Sequence, residues 1–150
     1  MPETGCPSND PQVQLFGLVL AAHARLTREV GAALETTCDL SVPTFETLLS
    51  LRRSESGRLT MSEVADAILH STGGTTRLID RLEQAGLVER QSCPTDRRTT
   101  YVAITEAGNR AFEEAVAVHI ETLGLTMGSR LSERERETLA ALLTKLSEPA

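Results

Sequence analysis

The sequence predicts a mainly α fold carrying one small β-hairpin, on three observations. Between residues 59 and 108, two capped segments of helical period are followed by two short stretches rich in β-branched residues around a basic turn. Apolar seams of helical spacing lie on both sides of that block. They are too extensive for one small lobe to cover.

Taken in order, Phe16, Val19, His23, Leu26, Val30 and Ala33 repeat at intervals of three and four residues, a seam of coiled-coil type along a first long helix. Ser41 caps a second helix over about 42–53 that turns Phe45, Leu48 and Leu49 inward. Thr60 stands three residues before Glu63 in capping-box spacing, with Leu59 and Val64 at the staple positions. A helix therefore starts at Met61, with Val64, Ala65 and Ile68 on its apolar face. Leu69 and His70 leave room only for a tight turn before Ser71, a second N-cap. In the next helix Thr75, Leu78, Ile79 and Leu82 share a buried stripe, so Gly73, Thr76, Arg77 and Asp80 point outward. Gly86 ends it in the C′ position, where Leu87 can close back on Leu82.

Leu87–Gln91 and Thr99–Ile104 read as strands joined through Pro94-Thr95-Asp96-Arg97-Arg98, a hairpin with a charged tip. Ala111, Phe112, Ala115, His119 and Leu123 form a further stripe, and Leu139, Leu142, Leu143 and Leu146 another, with a linker over 124–129 between them. Two capped helices, a hairpin with a basic tip and the start of a third helix make a winged helix-turn-helix. That layout lets a helix read one DNA groove while the hairpin touches the next. Asp96, beside two arginines, is placed to clamp a guanidinium bidentately, and a fixed arginine suits a narrow minor groove.

The net charge of −6 is unevenly distributed. Residues 1–57 hold four basic groups against seven acids, residues 58–104 six against six, and residues 105–150 five against eight. The motif is the least acidic part. Its arginines, Arg77, Arg81, Arg90, Arg97 and Arg98, have to share a face to make a positive surface. Four aromatics, Phe16, Phe45, Tyr101 and Phe112, are too few for stacking on unpaired bases, so duplex is the expected target.

Cys6, Cys38 and Cys93 are odd in number and lack C-x-x-C spacing, which indicates neither a disulfide scaffold nor a zinc site. They read as free thiols in a reducing compartment. The alternative is that Cys93 is a redox sensor, since cations such as Arg97 and Arg98 lower a nearby thiol pKa. His23, His70 and His119 have no H-x-x-x-H or carboxylate partners and read as hydrogen-bonded core or interface residues. The Arg52-Arg53 pair either compensates a helix C-terminus or anchors an anionic effector. No nucleophile elbow, phosphate-binding glycine loop or zinc-ligand spacing is present, so no enzyme, metal or cofactor is expected. No apolar run is long enough to span a membrane, and Met1–Pro11 is polar and proline-bearing, so the expected location is the cytoplasm.

The chain resembles the MarR family of winged helix-turn-helix regulators. The residues that carry the likeness are Ser62–Ala65, Thr76-Arg77-Leu78-Ile79-Asp80-Arg81-Leu82-Glu83, Ala85-Gly86-Leu87-Val88, Asp96-Arg97-Arg98 and Ile104-Thr105-Glu106-Ala107-Gly108. It departs from the common pattern in the Gly73-Gly74 pair. The resemblance implies one chain over 1–150, with dimerisation helices at about 11–36 and 109–148 around a DNA-binding lobe at about 40–108. It implies a homodimer, mainly a repressor, on a pseudo-palindromic operator of double-stranded DNA. Contacts fall to Ser71, Thr72, Gly73, Thr75, Thr76, Arg77 and Arg81 in the reading helix and to Asp96, Arg97 and Arg98 in the wing. Release by a small aromatic or phenolic effector is implied; a molecule lodged where the first and second helices meet the reading motif is expected to be lined by His23, Phe45, Leu48, Arg52 and Met61. Thiol oxidation, as in a subgroup of the family, is the competing switch. A winged helix that binds only protein is the reading from another class.

Overall fold

A computed structural model describes residues 10–68, 72–93, 95–96 and 98–149. Six α-helices and three strands follow in the order α1 (Pro11–Cys38), α2 (Val42–Arg53), β1 (Arg58–Thr60), α3 (Met61–Ala67), α4 (Thr72–Gln84), β2 (Val88–Ser92), β3 (Thr100–Ile104), α5 (Glu106–Leu123) and α6 (Glu133–Ser147). The expected turn at Leu69-His70 and the cap at Ser71 lie outside the described residues. The chain divides into two compact units, one spanning Ala33–Ile120, the other joining the segment through Ala32 with that from Glu121 onward.

The first unit holds nearly all of the buried apolar residues. Phe45, Leu48 and Leu51 of α2 are buried with Val64 and Ala65 of α3, Leu78, Ile79 and Leu82 of α4, Val88 and Val102 of the strands, and Phe112 and Ala115 of α5. Local chemistry explains the element ends. Ser41 caps α2 by accepting the Thr44 N–H, with proline in the first turn and Arg52 and Arg53 in the last. At the start of α3, Thr60 Oγ1 accepts the Glu63 N–H at 3.2 Å while the Glu63 carboxylate accepts the Thr60 N–H at 2.7 Å, the expected capping box. Asp39 ends α1 in the left-handed region, φ 55°, where a short carboxylate side chain is tolerated.

The strands form a three-stranded antiparallel sheet in the order β1-β3-β2. The hairpin pairs Val88 with Ile104 and Ser92 with Thr100, and β1 adds the pairs Arg58–Ala103 and Thr60–Tyr101. The third strand was not expected. It is three residues long, too short for alternation to show, and Thr60 serves both as its last residue and as the cap of α3.

In the second unit, α6 buries no residue, and Leu139, Leu142, Leu143 and Leu146 are exposed, as are Phe16, Leu18 and Leu20 of α1. The expected linker over 124–129 is instead helical, because a π-helical turn, Gly124–Gly128, runs on from α5. There the Thr126 hydroxyl donates to the Thr122 carbonyl at 2.8 Å, a back-bond that helps satisfy the wider turn. A second capping box, Ser132 with Glu135, opens α6.

Candidate nucleic-acid interface

Burial sorts the two faces of α4. Thr75, Leu78, Ile79 and Leu82 are 1, 4, 0 and 3% exposed, whereas Thr76, Arg77, Asp80, Arg81 and Glu83 face solvent. Thr75, placed among the DNA contacts by the resemblance, is thereby corrected to a core residue, as its position in the apolar stripe requires. Met61, Ser62, Ala65 and Asp66 of α3 face Thr75 and Thr76 of α4 across a cleft of about 210 Å³. Ser71 lies outside the described residues, as does the side chain of Thr72, while Gly73 belongs to the first turn of α4.

The charged flank of α4 is organised from β2. Arg90 donates through Nη2 to Asp80 at 2.6 Å and through Nη1 to Glu83, and its backbone N–H donates to Glu83 at 3.0 Å. Burial lowers the Arg90 pKa, but the bonds to Asp80 and Glu83 outweigh it and leave the group above its ordinary value. Among the described residues neither Arg77 nor Arg81 is ion-paired. Arg90 therefore does not meet the condition of a shared outward face: it is turned onto the helix and neutralises its carboxylates. Its position was legible, but its partners were not, since they lie seven and ten residues away across a turn.

The C-terminal end of α4 is fixed as Gly86 predicted. At φ +72° it lets the Leu87 N–H reach the Leu82 carbonyl at 2.9 Å and its own N–H reach Glu83 at 2.9 Å, a Schellman ending. Thr105 adds a clamp that sequence reasoning missed. Its hydroxyl donates to the Gly86 carbonyl at 2.6 Å and accepts the Gly108 N–H at 3.0 Å, tying α5 to the end of α4.

In the wing, Asp96 Oδ1 accepts the Arg98 N–H at 2.9 Å and Oδ2 accepts the Thr99 hydroxyl at 3.0 Å. The carboxylate holds the turn and makes no ion pair with the Arg98 guanidinium, so a clamp on Arg98 is not formed, while one on Arg97 falls outside the described residues. Arg98 remains exposed beside the turn, while Arg97 lies outside the described residues. Cys93 Sγ lies 3.3 Å from Thr95 Oγ1. Its pKa is lowered chiefly by that hydroxyl, then by the backbone of Thr95 and Asp96, and Arg98 is not among the causes. Cys38 is shifted the other way, by burial and then by Glu114. Cys6 lies outside the described residues.

Four of the five residues expected to line an effector pocket belong to the unit spanning Ala33–Ile120. Phe45 and Leu48 are core, Met61 lines the small cleft, Arg52 is exposed with its guanidinium 5.8 Å from the Phe112 ring centroid, and His23 is an exposed residue of the other unit. Phe45 instead stacks on Phe112, with centroids 5.9 Å apart, and meets His119 at 4.7 Å. Among the described residues His119 Nδ1 is buried without a hydrogen-bond partner, and burial lowers the His119 pKa. No group of three or more metal-ligating side chains occurs among the described residues, and none of their helices is long and apolar enough to cross a membrane.

A three-stranded sheet, a helix pair with an outward basic face and an exposed wing together define a winged helix-turn-helix. Residues 39–99 match the MarR family. An uncharacterized HTH-type transcriptional regulator of Bacillus anthracis is 31% identical over 108 residues, 72% of this chain and 70% of that protein. The HTH-type transcriptional regulator MhqR of Bacillus subtilis (strain 168) is 35% identical over 86 residues, 57% of this chain and 59% of the relative. Among solved structures, a cysteine-to-serine variant of MarR from E. coli complexed with operator DNA superposes with a TM-score of 0.83 at 26% identity, covering 96% of this chain and all of that one. The chain belongs to the MarR family of transcriptional regulators.

Proposed function

We propose that the protein is a cytoplasmic homodimer that binds double-stranded DNA sequence-specifically and acts mainly as a repressor on a pseudo-palindromic operator. The observation that carries this reading is the outer face of α4, where Thr76, Arg77 and Arg81 are exposed while the acids between and beyond them are neutralised by Arg90. On this reading the N-terminal half of α4, with Thr72, Gly73 and Thr76, enters the major groove, and Ser71, which precedes it in sequence, joins the contact. Arg77 and Arg81 neutralise phosphates, and Arg98, with Arg97, reaches the minor groove. Two copies, covering each other's exposed end helices, set two such helices about 10 base pairs apart. The complex of the E. coli relative with operator DNA supports the docking.

Operator release by a small aromatic or phenolic effector is part of the proposal. A hundredfold release requires about 2.7 kcal/mol of differential effector binding between the DNA-competent and incompetent states. The lowered Cys93 pKa favours a second switch, oxidation of the wing thiol. Peroxide release that vanishes in Cys93→Ser selects oxidation, and effector release that persists in that variant selects the ligand.

The test of the main reading is a mobility shift with DNA flanking the protein's own coding region, followed by footprinting. Sequence-specific retardation with a two-fold symmetric footprint is expected. Equal retardation of unrelated duplex, or none, defeats the reading.

A further inference from the structure

We infer that Arg90 is a positioning residue for DNA recognition, which keeps Arg77 available to phosphate by holding Asp80 and Glu83. The inference rests on the proposed DNA binding and adds a residue that acts on DNA through its neighbours. Arg77, Asp80 and Glu83 follow one another at three-residue intervals, so they run up one flank of α4 as neighbours. On that flank the two acids are like charges at i, i+3, and Asp80 is within reach of Arg77 on its other side. Left alone, the acids repel each other and Asp80 is driven to pair with Arg77. Arg90 removes both effects at once, because its planar fork meets Asp80 with one nitrogen and Glu83 with the other.

The geometry also separates this role from direct contact. Both terminal nitrogens of Arg90 and its backbone N–H face the helix carboxylates, and its side chain is less exposed than those of Asp80 and Glu83. A guanidinium so engaged directs one donor of each terminal nitrogen at the helix carboxylates. Its influence on DNA is through the charge and orientation of the α4 flank, and it joins that flank to the first strand of the wing.

Binding to operator DNA is to be measured against salt for wild type, Arg90→Gln, Asp80→Asn/Glu83→Gln and the triple variant, each checked for thermal unfolding. Arg90→Gln is expected to weaken binding about tenfold or more and to lower the salt slope by about one, as loss of the Arg77 phosphate contact would. The triple variant is expected to return to within about twofold of wild type. An unaffected Arg90→Gln, or a triple variant as weak as Arg90→Gln, overturns the inference. Should Arg90→Gln not fold, Arg90→Lys is the second background. It keeps the charge but spans only one carboxylate, and Asp80→Asn should then restore binding; no gain overturns the inference. A readout without DNA separates this from failure of DNA binding itself. In the free protein the Arg77 guanidinium Nε–H NMR signal should shift and exchange more slowly in Arg90→Gln, and an unchanged signal counts against the role whether or not an operator is bound.

Discussion

A methyl group on Gly108 would stand 2.1 Å from the Leu87 carbonyl oxygen and 2.9 Å from the Ile104 side chain. The first is a backbone atom held by the Schellman ending of α4 and accepts the Thr105 N–H at 3.1 Å, so it cannot move aside cheaply. Gly108→Ala is expected to destabilise the fold by about 1–3 kcal/mol, read as a lower urea midpoint; an unchanged midpoint would mean that the junction of α4 and α5 yields. The thiols offer a second prediction at this scale. Cys93 should alkylate faster than Cys38 near neutral pH, because the Thr95 hydroxyl stabilises its thiolate while burial disfavours that of Cys38. Thr95→Val should move the pH midpoint of Cys93 alkylation upward, and a midpoint that stays put would assign the shift to the backbone. His119 gives a third. Its pKa is lowered by burial, so the unfolded chain binds the proton more readily and stability falls as pH drops through about 6.5, the unfolded value. Thermal unfolding of His119→Phe between pH 7.5 and 5.5 should show a flatter pH dependence than wild type. Equal slopes would remove His119 as the source.

At the level of elements, caps were the most legible features and short or irregular segments the least. Ser41, Thr60 with Glu63, and Gly86 with Leu87 each mark an end by chemistry contained within a few residues, and α2 and α3 start where those residues put them. Thr60→Ala should therefore cost about 1 kcal/mol. The carboxylate of that box sets a pH dependence. Hydrogen bonds from the Thr60 backbone and hydroxyl lower the Glu63 pKa, so its contribution is present above the ordinary carboxylate value and lost as pH falls through the lowered one. Denaturant midpoints of wild type and Thr60→Ala should accordingly converge toward acid; a constant gap would mean the hydroxyl acts without the carboxylate. The strand β1 could not be read because three residues carry no period, and its pairing with β3 spans more than forty positions. The π-helical turn was hidden for a different reason. Gly124, Thr126 and Gly128 look like loop residues, and only the Thr126 back-bond shows how a helix continues through them. Site chemistry divides the same way: the faces of α4 follow from period alone, whereas the Arg90 fork and the Thr105 clamp depend on contacts across turns.

Across the whole molecule, the apolar side chains that the lobe does not use are the feature left to explain. Phe16, Leu18, Leu125, Leu142 and Leu146 are 63, 69, 70, 55 and 73% exposed, and all belong to the unit that holds both chain ends. Apolar surface of that extent, part of it on α6, whose start is closed by a capping box, is what the proposed second copy would cover. The seams were visible in the sequence as spacing, but spacing does not say what covers them. If a second copy does, its removal should affect both assembly and DNA binding. A double substitution, Leu142→Glu with Leu146→Glu, introduces two carboxylates into the α6 stripe and should convert a dimer into a monomer at micromolar concentration by sedimentation. The wild-type unfolding temperature should rise with protein concentration, since association stabilises only the folded chain, and that dependence should vanish in the variant. Operator affinity should fall steeply because each monomer retains one reading helix, whereas far-ultraviolet circular dichroism of the lobe should persist. A variant that still sediments as a dimer would place the interface away from α6; a wild-type unfolding temperature independent of concentration, with monomeric sedimentation, would remove the dimer from the proposed function altogether.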